Sequence, residues 1–216
     1  MHRPAFVAFT GVDRVDVLPG IVALSQRYPI EWGVLVNASE QGNPLFADES
    51  LRSALLSTRH LRLAVHVCGE EARSIAQAGL KSTFDSAGFQ RVQVNHGFEG
   101  STALQVAHVR EYGRKAGVRV VLQTITSFPE DPSVDWLYDV SFGTGKQPSR
   151  WPPLPGSSTF CGYSGGLGPG NIRRSITEMN ALDDDIFWID MESGVRTDGL
   201  LDLNKCSSVC EQIFDF

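Results

Sequence analysis

No apolar run in this chain approaches the roughly 20 residues that a membrane-spanning helix needs. A basic surface is missing too: Lys and Arg total 19 against 25 Asp and Glu, for a net charge of -6 and a pI near 5.3. That balance argues against nucleic acid and anionic lipid as partners. Cysteine is sparse. Cys68, Cys161, Cys206 and Cys210 are scattered, with neither a disulfide framework nor a zinc-finger spacing. The opening MHRPAFVAFTG turns polar too soon for a signal peptide. A reducing cytoplasm is the expected setting. There is also no G-x-G-x-x-G after the first apolar run, which argues against a dinucleotide-binding fold.

What is present suits one globular domain. The 216 residues are 42% hydrophobic and 20% charged, enough for a substantial core. Short apolar runs alternate with helix-spaced patterns. Strands are expected over 6–9, 32–36, 61–67, 91–95, 118–123, 136–140, 159–163 and 186–191. Helices are expected over 18–27, 49–58, 70–79, 101–117, 171–182 and 201–214. The units after the fifth and sixth strands are weak in helix, because Pro129, Pro132 and a proline-rich stretch over 148–155 interrupt them. That stretch reads as an ordered loop across a barrel rim rather than a linker. Strand–helix alternation predicts parallel βαβ units. Eight strands spaced by roughly 25 residues predict a single (β/α)8 TIM barrel over the whole chain, with a doubly wound sheet as the alternative.

The stretch over 159–194 dominates the functional reading. It holds two short apolar runs, each ending in a glycine-bearing polar turn: Ser164-Gly165-Gly166 and Glu192-Ser193-Gly194. Glycine lets backbone N–H groups face a ligand unobstructed, and a following helix adds its positive dipole end. In barrels of this type a common phosphate site lies after strands seven and eight. Gly165, Gly166, Ser193 and Gly194 are therefore expected to converge on one anion, with the helix opened near Asn171 pointing inward. Backbone amides need no metal, and neither a metal nor a cofactor is expected.

The order of motifs resembles the phosphoribosylanthranilate isomerase family. Val92-Gln93-Val94-Asn95-His96-Gly97, Leu137-Tyr138-Asp139 with Gly143-Thr144-Gly145-Lys146, Ser164-Gly165-Gly166-Leu167 with Asn171, and Ile189-Asp190-Met191-Glu192-Ser193-Gly194 all fall in family order. The resemblance spans the chain and is most specific in its last third. It implies an Amadori rearrangement, an aldose–ketose conversion that needs an acid for the ring oxygen, a base for the C2 proton, and a phosphate anchor. Asp139 matches the family acid, and Asp190 matches a position that orients the phosphate site. The family base is a cysteine after strand one, where this chain has Thr10. A threonine hydroxyl cannot replace a thiolate, and the loop after strand two also lacks the family arginine. His66, Cys68 or His96 are the candidate substitutes.

Three readings stay open: a divergent isomerase, a different enzyme on a phosphorylated sugar or nucleotide, and a non-catalytic phospholigand-binding protein. The expected partner is a small phosphorylated ligand, and the expected state a monomer or homodimer. Plain structural roles are expected for Cys206 and Cys210 as buried apolar residues, for Asp183-Asp184-Asp185 as a solvated turn, and for Lys146 as an exposed loop residue.

Overall fold

A computed structural model describes residues 2–40, 42–97, 100–141, 143–156 and 158–215. Eight parallel strands close into a barrel in sequence order. They are β1 Phe6–Thr10, β2 Ile30–Val36, β3 Leu63–Val67, β4 Arg91–Val94, β5 Arg119–Thr124, β6 Asp135–Tyr138, β7 Cys161–Tyr163 and β8 Phe187–Met191. Closure runs through β1 and β8, with Ala8 opposite Asp190. The helices are α1 Leu18–Arg27, α2 Glu49–Ser57, α3 Gly69–Ala78, α4 Ala103–Ala116, α5 Ile172–Met179 and α6 Leu203–Phe214. This is the (β/α)8 barrel that the alternation predicts.

Alternation along each strand sorts side chains between two cores. Outward residues such as Val7, Phe9, Val65, Val92 and Ile189 meet the helices in the larger core. Inward residues Phe6, Ala8, Val121, Leu137 and Trp188 fill the barrel. Gly162 is needed there, since a Cβ would lie 2.1 Å from the Trp188 ring.

Local chemistry sets the helix ends. Thr102 and Gln105 form a capping box at the start of α4, and Gly117 ends it at φ 70°. Asn180 stops α5 in the left-handed conformation, three residues earlier than the apolar spacing suggests.

No helix follows β5 or β6 among the described residues. Aromatic side chains from the loops take the helices' place. Trp151 packs edge-on against Tyr163 at 5.7 Å, and Phe128 does so at 5.1 Å. The Tyr163 hydroxyl donates to the Pro152 carbonyl at 2.7 Å. The proline-rich stretch is thus ordered, but its Trp151 seals the outer flank of β6 and β7 rather than crossing the rim.

A second departure follows β8. A 3-10 turn at Ser193–Val195 leads into a hairpin of β9 Arg196–Thr197 and β10 Leu200–Leu201. Fully buried Asp13 fastens this hairpin to the loop after β1. It accepts from Arg196 Nη2 at 3.1 Å and from the Leu201 amide at 2.7 Å.

Candidate functional site

At the C-terminal end of the strands, each strand contributes one inward residue to a common layer: Thr10, Leu35, His66, Gln93, Gln123, Asp139, Ser164 and Asp190. All eight line a cavity of about 540 Å³. Seven of the eight are polar, unlike the apolar layer beneath them. A polar layer at this end of a barrel is where chemistry is placed.

Asp139 directly follows β6 and is buried. Its Oδ1 accepts from the Ser141 amide and hydroxyl, both at 2.7 Å, and its Oδ2 accepts from Gln123 Nε2 at 3.3 Å. It therefore caps its own turn while lining the cavity. Asp190 accepts from the Thr10 hydroxyl at 2.6 Å and from the Ser164 hydroxyl at 3.3 Å. The resemblance implied that Asp190 orients the phosphate site; in the structure it holds two hydroxyls. Burial, and then the nearby Asp139 and Glu192 charges, push its carboxyl up to about 7, against the opposing pull of the Thr10 and Ser164 hydrogen bonds. Thr10 is a donor here, not a base.

The three candidate substitutes for the base all reach the cavity, each shifted by burial. His66 is buried in the middle of the layer; desolvation, and then the Arg91 charge, hold its pKa down to about 3, so the ring is neutral. Burial pushes the Cys68 thiol up, away from the thiolate. His96, half-buried, is lowered by desolvation and pairs with Ser101 Oγ at 2.8 Å.

Glu192 was read from the sequence only as part of a turn. It lines the cavity, and burial raises its carboxyl while Arg196 lowers it and Asp139 raises it further. Gln93, Gln123 and Arg73 also line the mouth and were not singled out. The two glutamines had a readable signal. Each sits at an inward position within a β-branched run, where a polar residue is out of pattern.

The glycine turns are divided. Gly165, Gly166 and Ser193 line the main cavity, whereas Gly194 lines a neighbouring one with Gly168, Gly170, Asn171 and Lys205. The α5 start opens toward that second cavity. Asn171 ties the turn together by accepting from the Gly168 amide at 3.0 Å and donating to the Gly166 carbonyl at 2.8 Å. The loop after β6 lies on Gly166, where an added Cβ would sit 2.6 Å from the Gly145 carbonyl. Among the described residues, the amides of Gly165, Gly166, Ser193 and Gly194 donate no hydrogen bond to protein. Lys146 is exposed and outside the cavity lining. Asp183 and Asp184 are exposed, while Cys206 and Cys210 are buried. No group of three metal-ligating side chains occurs among the described residues.

Neither a protein-family model nor a curated protein sequence matches the chain. Solved structures do. Phosphoribosylanthranilate isomerase from Thermotoga maritima, in an engineered monomeric form of a dimeric protein, aligns with a TM-score of 0.63 at 16% identity, covering 100% of both chains. N-(5'-phosphoribosyl)anthranilate isomerase from Pyrococcus furiosus aligns at 0.61 and 15% identity over 98% of this chain and 99% of that one. A mutant tryptophan synthase α-subunit from Pyrococcus furiosus aligns at 0.59 and 11% identity over 100% of both. The likeness is one of fold. This chain shares their (β/α)8 barrel at low identity, and what its mouth does rests on its own residues.

Proposed function

We propose that the mouth binds a small phosphorylated sugar or a related phosphate ligand and moves a proton on it, as an aldose–ketose isomerase of altered base. The observation that carries this reading is the carboxylate set Asp139, Asp190 and Glu192 around one cavity. Isomerisation needs an acid and a base on one substrate. Asp190, tuned to about 7, exchanges protons at working pH better than His66 or Cys68. Asp139 serves as its counterpart across the mouth. Unbonded amides at Gly165, Gly166 and Ser193 supply the phosphate anchor.

The base is thus reassigned from the candidates suggested by sequence to Asp190, with Thr10 holding it in place. The test is turnover of phosphoribosylanthranilate by the purified protein, followed by fluorescence. Asp190→Asn should lower kcat by a factor of about 10² to 10⁴, and Asp139→Asn by a similar factor. Full activity in Asp190→Asn sinks the assignment. No turnover by the wild type favours the binding-protein reading, which has its own support: Asp139 already spends both oxygens on Ser141 and Gln123.

A further inference from the structure

Several side-chain donors of the mouth are spent within the protein. Thr10 and Ser164 hydroxyls go to Asp190, and the Ser141 hydroxyl goes to Asp139. Gln93 Nε2 goes to Asn95 at 2.9 Å, Asn95 Nδ2 to Cys68 Sγ at 3.4 Å, and Gln123 Nε2 to Asp139. The bond to Asp139 also fixes the Gln123 amide, since its oxygen turned that way would meet a carboxylate. Besides the Gly165, Gly166 and Ser193 amides and the second N–H of each side-chain amide, the cavity is faced by acceptors: the Gln123 carbonyl oxygen and the Glu192 carboxylate, which receives no hydrogen bond among the described residues.

His66 points the same way. Its side chain is only 4% exposed, lines the cavity, and has no hydrogen-bond partner among the described residues. A ligand hydrogen bond is its natural completion. As a neutral ring it offers one acceptor nitrogen and one N–H donor.

Charge in the mouth is unbalanced. Three carboxylates share it, and the two nearby arginines hydrogen-bond elsewhere, although the Arg196 charge still lowers the Glu192 carboxyl. Arg196 donates to the Gly11 carbonyl at 2.8 Å, to Asp13 and to the Gly199 carbonyl. Arg73 is paired with Glu70. No lysine lines the cavity among the described residues.

We infer that the ligand carries a protonated amine, seated between Glu192 and Asp190 on one wall and His66 on the other. An ammonium supplies one positive charge to the carboxylates and donors to them and to the His66 acceptor nitrogen. A neutral polyol supplies donors but no charge. The inference rests on the phosphate-ligand reading for the far end of the molecule: an aminosugar phosphate, or another phosphorylated amine, has both ends.

Titration calorimetry near neutral pH with glucosamine 6-phosphate, glucose 6-phosphate and glucosamine as probes separates the two claims. Glucosamine 6-phosphate is expected to bind at least tenfold more tightly than glucose 6-phosphate. Glu192→Gln should erase that preference, read as the ratio of the two affinities, with thermal melts confirming that the variant folds. Glu192→Ser provides the same comparison if the glutamine variant melts early. Equal affinity for the two phosphates, or no binding of any probe, overturns the amine inference. If glucosamine and glucosamine 6-phosphate bind alike and better than glucose 6-phosphate, the amine stands and the phosphate anchor falls.

Discussion

At the scale of the residue, Asp190 is the group with the clearest consequence. Its folded pKa of about 7 lies above the ordinary carboxylate value of about 3.9. The folded state therefore holds the proton more tightly than the unfolded chain does. The stability from this protonation is complete below about pH 4 and is lost as the pH rises through about 7. Asp190→Asn, neutral throughout and still able to accept from Thr10, should match the wild type near pH 4. It should exceed it by about 4 kcal/mol near pH 8, at about 1.36 kcal/mol for each pKa unit between about 3.9 and about 7, a difference of about 8–16 °C in Tm for a chain of this size. Melts of both proteins across that range provide the check, and a difference that does not change with pH removes Asp190 as its source. Composition already argued that Thr10 could not act as a base. Its partner across the closure between β1 and β8 could not be read, because that contact joins residues 180 positions apart.

The strands and the six helices were readable as elements, because each carries its own period and its own stops. The Thr102 cap, the Gly117 end and the prolines after β5 all act within a few residues. The mouth was readable only in part. Asp139 and the glycine turns announce themselves by position at strand ends, while Glu192 gains its meaning from how the chain turns after β8. Gly166 shows the limit most clearly. Its sequence context suggests room for an anion, so Gly166→Val would be expected to abolish phosphate binding in a protein that stays folded. The structure adds a second reason for glycine: φ is 62° and the loop after β6 rests against it, with the Gln147 amide nitrogen 2.8 Å from a would-be Cβ. A β-branched side chain must then displace that loop as well. Gly166→Val should cost stability by about 1–3 kcal/mol, visible in urea unfolding, in addition to any loss of ligand. A variant as stable as the wild type would show that the loop after β6 yields freely.

Across the whole molecule, the two ends of the barrel are built from opposite uses of charge. At the mouth, carboxylates gather with little neutralisation. At the other end, Glu31 is fully buried and accepts from Arg62 Nε at 2.9 Å and from Arg91 Nη2 at 2.8 Å, while Arg119 pairs with Asp135 at 2.6 Å. The Arg91 guanidinium also stacks on Trp188 at 4.2 Å. None of this was foreseen from the sequence, because the partners sit on β2, β4, β5 and β6 and only closure unites them. Charges that are paired with one another, although Arg91 Nη1 and Asp135 Oδ2 meet at 3.6 Å without a hydrogen bond, and walled from the cavity by Ala8, Val121 and Leu137 belong to stability rather than to binding. Removing one member strands the rest. Glu31→Met leaves Arg91 buried with only Asp135 at 3.6 Å, and such a loss costs about 3–5 kcal/mol. Replacing both partners, as Glu31→Met with Arg91→Met, removes the stranded charge and should recover most of that loss, since apolar substitutes for a buried pair are often neutral. Both variants should bind glucosamine 6-phosphate as the wild type does at temperatures where they are folded. Chemical unfolding of the two variants, with calorimetry alongside, checks the division. If Glu31→Met unfolds with the wild-type midpoint, the charges at this end contribute nothing; if it unfolds normally but loses the ligand, the two ends are coupled and the wall between them is not a divide.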